Sequence, residues 1–431
     1  MASGADGTDS VVRDGDYVVF HTSDDRWNFA QVKRGNRVSL NSKRLKVDAV
    51  IGCEWGSVFS LGRNKAELIR EIETVSFDTE LHQLSEELHT VSNGAEARDE
   101  NEGAEAEIDE ELEVVREDRH DEAGKVSLKS ADLIELAVRS NVNFEGKSLH
   151  ARKKFIMRKH ARLLLRVRIL KPTGRTLCNV YCDRNPHGIL GMRLDTFSLV
   201  LTLANVRADG HYMVMDHALG LLVGSVAQRM RGHGKVFSVF QGSTPACVEM
   251  IRSFNLSAEE TNSIRHVPIH FLPSVFQDAP DDDLPLNFAT ARRDPGSATD
   301  QEQRSDVKRA RLLDGSHPSR LTGRPTARRM KYWLRAGCES LIIAARHDAL
   351  PLVHAMLPFL ASSGNLVVFG NNFQPMAELQ YALSCTRSFA RIQLHETSLV
   401  HHQVLPGRSH PKMSELASGG YVLSATKLTA S

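Results

Sequence analysis

The sequence predicts an α/β protein: a Rossmann-type, mostly parallel sheet over most of its length, preceded by a small N-terminal β-barrel domain. Three observations carry this. The stretch His211–Gly242, HYMVMDHALGLLVGSVAQRMRGHGKVFSVFQG, reads as buried strand, loop, helix, paired glycines and second buried strand, the opening β-α-β of a nucleotide-binding sheet. The last hundred residues repeat the same alternation and finish in GGYVLSATK, which a helix-poor stretch precedes, so that strand is expected to run antiparallel to its neighbour. The region Arg13–Leu61 instead shows short strands punctuated by turns.

In chain order, DGDYVVF, FAQVKRGNRVSL and RLKVDAVIGCEWGSVFSL place Val, Tyr and Phe at alternating positions, with Asp14-Gly15 and Arg34-Gly35-Asn36 as turns. Residues 1–90 are therefore expected to form the barrel, with Trp55 a partly buried core aromatic. Residues 91–124 are dominated by Glu and Asp and lack the apolar surface that would offset ordering entropy, which predicts an acidic disordered linker. Folding resumes near Leu128, where SLKSADLIELAVRS has helical spacing and Ser130 is a candidate N-cap. Lys147–Pro172 reads as a basic helix passing into a strand. Its Arg152, Lys153, Lys154, Arg158 and Lys159 have few acidic neighbours, so phosphate contact is preferred over a merely solvated face.

Next come a predicted strand at Thr176–Tyr181, a helix from Asp195 to Leu203, the β-α-β unit, a helix at Ala246–Phe254 and a short strand at His266–Leu272. Together 125–276 are expected to form the first part of the α/β domain. Residues 277–329 turn to Asp, Pro, Ser and Arg and are expected to be an exposed insertion that includes the import-like Lys308-Arg309-Ala310-Arg311. The second part, 330–431, supplies strands at Ser340–Ala345, NLVVFG, ARIQLHE and GGYVLSATK, with helices at Leu350–Leu360 and Pro375–Ser384.

The formal net charge is +1, from 54 basic and 53 acidic side chains, but the balance conceals segregation along the chain. Six cysteines include no CxxC pair and no zinc spacing, so reduced thiols in the cytosol or nucleus are expected, with Cys178 and Cys182 small packing residues near a strand. No apolar run reaches membrane-spanning length, and MASGADGTDS lacks the features of a secretory leader. The histidines, 19 in all, lack partners at ligand spacing and are read one by one as surface or capping residues.

The chemistry expected of such a sheet is eroded. A cofactor such as S-adenosylmethionine calls for glycines at alternate positions after the acidic residue that ends the first strand, so that the backbone can approach it. After Asp216 those positions hold Ala218, Gly220 and Leu222. The second strand ends in Gln241, where a carboxylate would accept bonds from the ribose hydroxyls. The fourth strand runs into Ala345-Arg346-His347, with Asp348 displaced beyond it. The outline is that of a class I methyltransferase with a degenerate cofactor site, and no catalytic triad or metal triad replaces what is missing.

Several segments resemble the non-catalytic subunit family of the eukaryotic tRNA (adenine-58-N1)-methyltransferase: DGDYVVF, VIGCEWGSVF, MRLDTFSLVLTLANVRADGHYMVMDHALGLLVGSVAQRM and QVLPGRSHPKMSELASGGYVLSATK. The resemblance implies a chain without catalytic residues or cofactor. It implies a nuclear heterotetramer of two plus two with a catalytic, S-adenosylmethionine-binding subunit, and a role in holding tRNA. Arg408, His410 and Lys412 join the basic segment as expected tRNA contacts, and the sheet edge and final strand are the expected assembly surface. Two other readings stay open at this point: an active methyltransferase with an atypical loop, and a stand-alone RNA-binding factor.

Overall fold

The computed structural model describes residues 10–61 without 24, 41 and 42; 68–70; 155; 166–277 without 243, 244, 246 and 247; and 325–428 without 406, 407 and 413–417. The described chain forms two compact units, Met1–Lys171 with Val404–Ser409, and Pro172–Gln403 with His410–Ser431. The acidic linker, the helix expected after Leu128, and Arg152, Lys153, Lys154, Arg158 and Lys159 lie outside the described residues.

In the first unit β1 (Tyr17–Thr22), β2 (Trp27–Gln31), β3 (Arg37–Leu40), β4 (Lys43–Lys46), β5 (Val58–Leu61), β6 (Leu68–Arg70) and β7 (Arg166–Leu170) are all antiparallel. The main sheet has the order β2-β1-β7-β5-β6, and β3-β4 is a separate hairpin. Since β2 and β6 do not pair, this is a barrel-like sheet rather than a closed barrel among the described residues. One core joins sheet and hairpin, built from Val18, Phe20, Val38, Leu45, Phe59, Val167 and Ile169, with Trp55 packed partly buried against it. The sequence reading put β7 in the α/β domain. Its Val167 and Ile169 face the first core, and its backbone pairs with β1 and β5, so the strand belongs to the first unit.

The second unit opens with α1 (Gly174–Arg184), where a strand was expected. Thr173 accepts a hydrogen bond from Thr176 N while the Thr176 hydroxyl accepts one from Thr173 N, a reciprocal cap that starts a helix whose Gly174, Leu177 and Cys178 are buried. Cys178 and Cys182 therefore sit one turn apart on a helix, both bonded to Met192 O. Then follow α2 (Leu194–Leu203), β8 (His211–Asp216), α3 (Leu221–Met230), β9 (Lys235–Phe240), α4 (Val248–Ser253), α5 (Ala258–Ser263) and β10 (Ile264–Pro268). The last strand begins earlier than expected, and a 3-10 segment, Ile269–Phe276, takes up the residues after Pro268.

The next described element is α6 (Ala327–Arg335), capped by Thr326, which begins before the expected end of the insertion at residue 329. Beyond it lie β11 (Cys338–Ala344), α7 (Ala349–Met356), β12 (Leu360–Gly370), α8 (Phe373–Thr386), β13 (Phe389–Glu396), the hairpin β14 (His402–Leu405) with β15 (Arg408–Pro411), and β16 (Tyr421–Lys427).

Seven strands form the sheet β10-β9-β8-β11-β12-β16-β13, parallel from β10 to β12, with β16 antiparallel to both neighbours. Counting only the strands of this sheet, in chain order, the order is 3-2-1-4-5-7-6. One face presents Met213, Met215, Phe237, Leu341, Ile343 and Val368 to α6, α7 and α8. The final strand lies inside the sheet, bonded on both sides. Among the described residues β10 and β13 are therefore the edges of the sheet. Two of the segments that carried the resemblance meet here. Arg193 Nη2 donates to Asp195 Oδ2 at 2.8 Å and to Thr397 O at 3.0 Å, and the Thr196 hydroxyl donates to Gly419 O at 2.9 Å. These bonds anchor the start of α2 to the turn that enters β16.

Candidate functional site

In an open α/β sheet the ligand crevice lies beyond the C-terminal strand ends, where the strand order reverses. Here that point lies between β8 and β11, which pair in parallel with Asp216 opposite Ala344. The local sequence forces an unusual turn into α3: Leu219 has φ +59° and Gly220 φ +91°, both left-handed. Glycine adopts that conformation freely, whereas for leucine it costs about 1–2 kcal/mol.

Asp216 is 3% exposed. Its Oδ1 accepts from Ala218 N at 2.7 Å, and its Oδ2 from Leu222 N at 2.8 Å and Val223 N at 3.0 Å. Leu221 N donates to Ala218 O and Gly224 N to Gly220 O. All four leading N–H groups of α3 thus have partners in the chain itself. A helix start attracts a ligand's anionic or polar groups through N–H groups left without partners, and this helix has none left over. Burial raises the Asp216 pKa, against the lowering by its backbone bonds. Ala218 and Leu222 are fully buried, while Gln241, just past β9, is exposed. The predicted positions 216, 218, 220 and 222 are brought together, and Gln241 stands apart from their hydrogen bonds.

A residue the sequence reading passed over completes the closure. His217 N donates to Ala344 O at 2.8 Å, and His217 Nδ1 accepts from Arg346 N at 3.1 Å, so one residue ties the loops after β8 and β11 together. The ring of His347 meets it edge-on, with centroids 5.5 Å apart. Burial, then His347 and Arg346, lower the His217 pKa, which favours the neutral ring that an accepting Nδ1 requires. Asp348 is the N-cap of α7, accepting from Leu350 N at 3.1 Å, so the carboxylate displaced beyond β11 is a helix cap. The residues present do not fit S-adenosylmethionine: the leading donors of α3 are occupied, two of the three glycine positions are filled by the buried side chains of Ala218 and Leu222, and no acid follows β9.

The other expected contacts are only partly placed. Arg408 and His410 lie in β15, His410 Nδ1 donates to Pro411 O at 3.0 Å, and exposed Lys412 follows with its N bonded to His401 O. Among the described residues no group of three or more His, Cys, Asp or Glu is arranged to hold a metal, and no helix is long and apolar enough to cross a membrane.

The strand order and the self-closed switch point define a methyltransferase-type Rossmann body whose cofactor loop has become structural. The chain belongs to the Gcd10p family, which it matches over residues 11–308. It is 26% identical to the tRNA (adenine(58)-N(1))-methyltransferase non-catalytic subunit trm6 of Dictyostelium discoideum, over 98% of this chain and 80% of the relative. It is 25% identical to the Mus musculus protein of that name, over 96% of this chain and 88% of the relative. A SAM-dependent O-methyltransferase crystal structure from Thermotoga maritima superposes with a TM-score of 0.48 at 10% identity, covering 100% of this chain and 99% of the other.

Proposed function

We propose that this chain is the non-catalytic, tRNA-binding subunit of a tRNA (adenine-58-N1)-methyltransferase, paired with a catalytic subunit that binds S-adenosylmethionine. The observation that carries this reading is the closure of the switch point by Asp216 and His217, in which the leading N–H groups of α3 are bonded within the chain itself. Membership of the Gcd10p family and the names of the relatives support it. On this reading the chain works by geometry. It grips the tRNA elsewhere so that the partner's site meets a T-loop adenine, and phosphate contacts position without reading sequence. Arg152, Lys153, Lys154, Arg158, Lys159, Arg408, His410 and Lys412 are the proposed contacts. Assembly as two plus two and nuclear residence belong to the same proposal. The open edge of β13 and the exposed Tyr381 and Phe373 of α8 are candidate assembly surface.

Reconstitution tests it. The catalytic subunit is assayed for N1-methylation of tRNA alone, with this chain, and with a chain carrying Lys153→Glu, Lys154→Glu and Arg158→Glu. The expected result is methylation only with the wild-type chain, and tRNA binding by the variant complex weakened by about tenfold or more with a shallower salt dependence. Full methylation by the catalytic subunit alone overturns the reading. Unchanged affinity and salt slope in the variant remove the basic segment from it.

A further inference from the structure

The opposite ends of the parallel strands carry a second concentration of charge. Trp333 on α6 packs partly buried against the core of this face, and three cations meet its ring. Lys235 Nζ lies 4.5 Å from the ring centroid, Arg329 Cζ 4.9 Å and Arg265 Cζ 5.7 Å. They come from separate elements: Lys235 opens β9, Arg265 is the second residue of β10 beside it, and Arg329 lies one helical turn before Trp333.

Among the described residues no carboxylate forms an ion pair with any of the three; the ion pairs found are His21–Asp25, Arg193–Asp195 and Arg207–Glu339. Arg265 Nη1 donates to Ile264 O at 3.0 Å, but its Nε is enclosed without a hydrogen-bond partner. Burial is the first cause that lowers the pKa values of Lys235 and Arg265, with a further lowering from Arg265 and Arg329 on Lys235 and from Arg329 on Arg265. An indole face attracts each cation, but it does not offset their mutual repulsion, and a bound anion would. Two planar guanidiniums and an ammonium gathered around one ring supply the donors that phosphodiester oxygens accept from, and the 73% exposed Tyr332 on the same helix offers a ring on which a base can stack. An acidic peptide would use the charge but has no need of that ring.

We infer that Lys235, Arg265, Arg329 and Trp333 form an RNA phosphate-binding site, apart in sequence from the basic segment and from Arg408–Lys412. The site rests on the reading of the chain as tRNA-binding, and it adds a contact at the opposite end of the parallel strands from the switch point.

The test uses the full chain with its catalytic partner and labelled tRNA, titrated between 50 and 200 mM salt, roughly the range over which phosphate contacts are read out. Arg329→Gln, on an exposed position, and Lys235→Gln are each expected to weaken binding about three- to tenfold and to lower the salt slope by about one. Tryptophan emission should change on adding tRNA to the wild-type complex, and Trp333→Phe, which keeps an aromatic ring in place, should remove that part of the change. An Arg329→Gln variant with unaltered melting temperature, affinity and slope overturns the site, whether or not Lys235→Gln folds. Polyglutamate that displaces tRNA from the wild type, and not from Arg329→Gln, reassigns the site to an acidic peptide and overturns it as an RNA site. If the wild-type complex fails to bind tRNA at all, this site and the functional reading fall together, whereas silent variants in a binding complex remove only the site.

Discussion

His266 on β10 shows what burial does to a single residue here. The residue as a whole is half-buried, but Nδ1 is enclosed and has no hydrogen-bond partner, and burial with the adjacent Arg265 lowers its pKa to about 4. The folded-state value is depressed below the ordinary 6.5, so the unfolded chain takes up this proton first as pH falls. Stability is then full above about pH 6.5, declines down to about pH 4 and changes no further below that from this group. A shift of that size corresponds to about 3 kcal/mol, and the residue's partial exposure brings the expected loss nearer to about 2 kcal/mol. Urea unfolding of wild type and His266→Leu at pH 7 and pH 4 should show the wild type losing about that much more than the variant. Equal losses in both would contradict the assignment. Nothing in the sequence marked this residue or His217. Neither has a carboxylate or Cys partner at ligand spacing; burial sets His266, and residues distant in the chain, Ala344 and Arg346, set His217.

Helix α3 was legible to the residue in the sequence, because Asp216, Gly220 and the apolar run after it are local signals. What the sequence did not display is that Asp216 serves the helix. Asp216→Ala would strand the N–H groups of Ala218, Leu222 and Val223 in a buried turn, and each such group costs about 1–3 kcal/mol. Thermal and urea melts should show Asp216→Ala destabilised by about 3 kcal/mol or more, and Gln241→Ala, on an exposed position, unchanged within about 0.5 kcal/mol. Similar small effects at both positions would mean that the carboxylate is not what closes the turn. Other elements were misread for local reasons. Thr176, Val180 and Tyr181 have the β-branched and aromatic character of a strand, but the Thr173–Thr176 cap and the buried Gly174, Leu177 and Cys178 set a helical period. In α6 the spacing of buried Met330 and Leu334 was hidden by the basic residues around them, and with it Trp333.

At the scale of the molecule, the parallel sheet and its late antiparallel strand were legible because each strand's partner follows from the order of β-α units along the chain. The placement of β7 was not, since nothing local distinguishes a strand that pairs with β1 and β5 from one that begins the next domain. The same limit hid the interior position of β16. What the assembled molecule adds is a cofactor crevice closed by its own chain. Calorimetric titration of S-adenosylmethionine into the purified full chain tests that claim most directly. The account predicts no saturable heat up to about 1 mM ligand, whereas one-to-one binding with a Kd near 1–10 μM, roughly −7 to −8 kcal/mol, would contradict it.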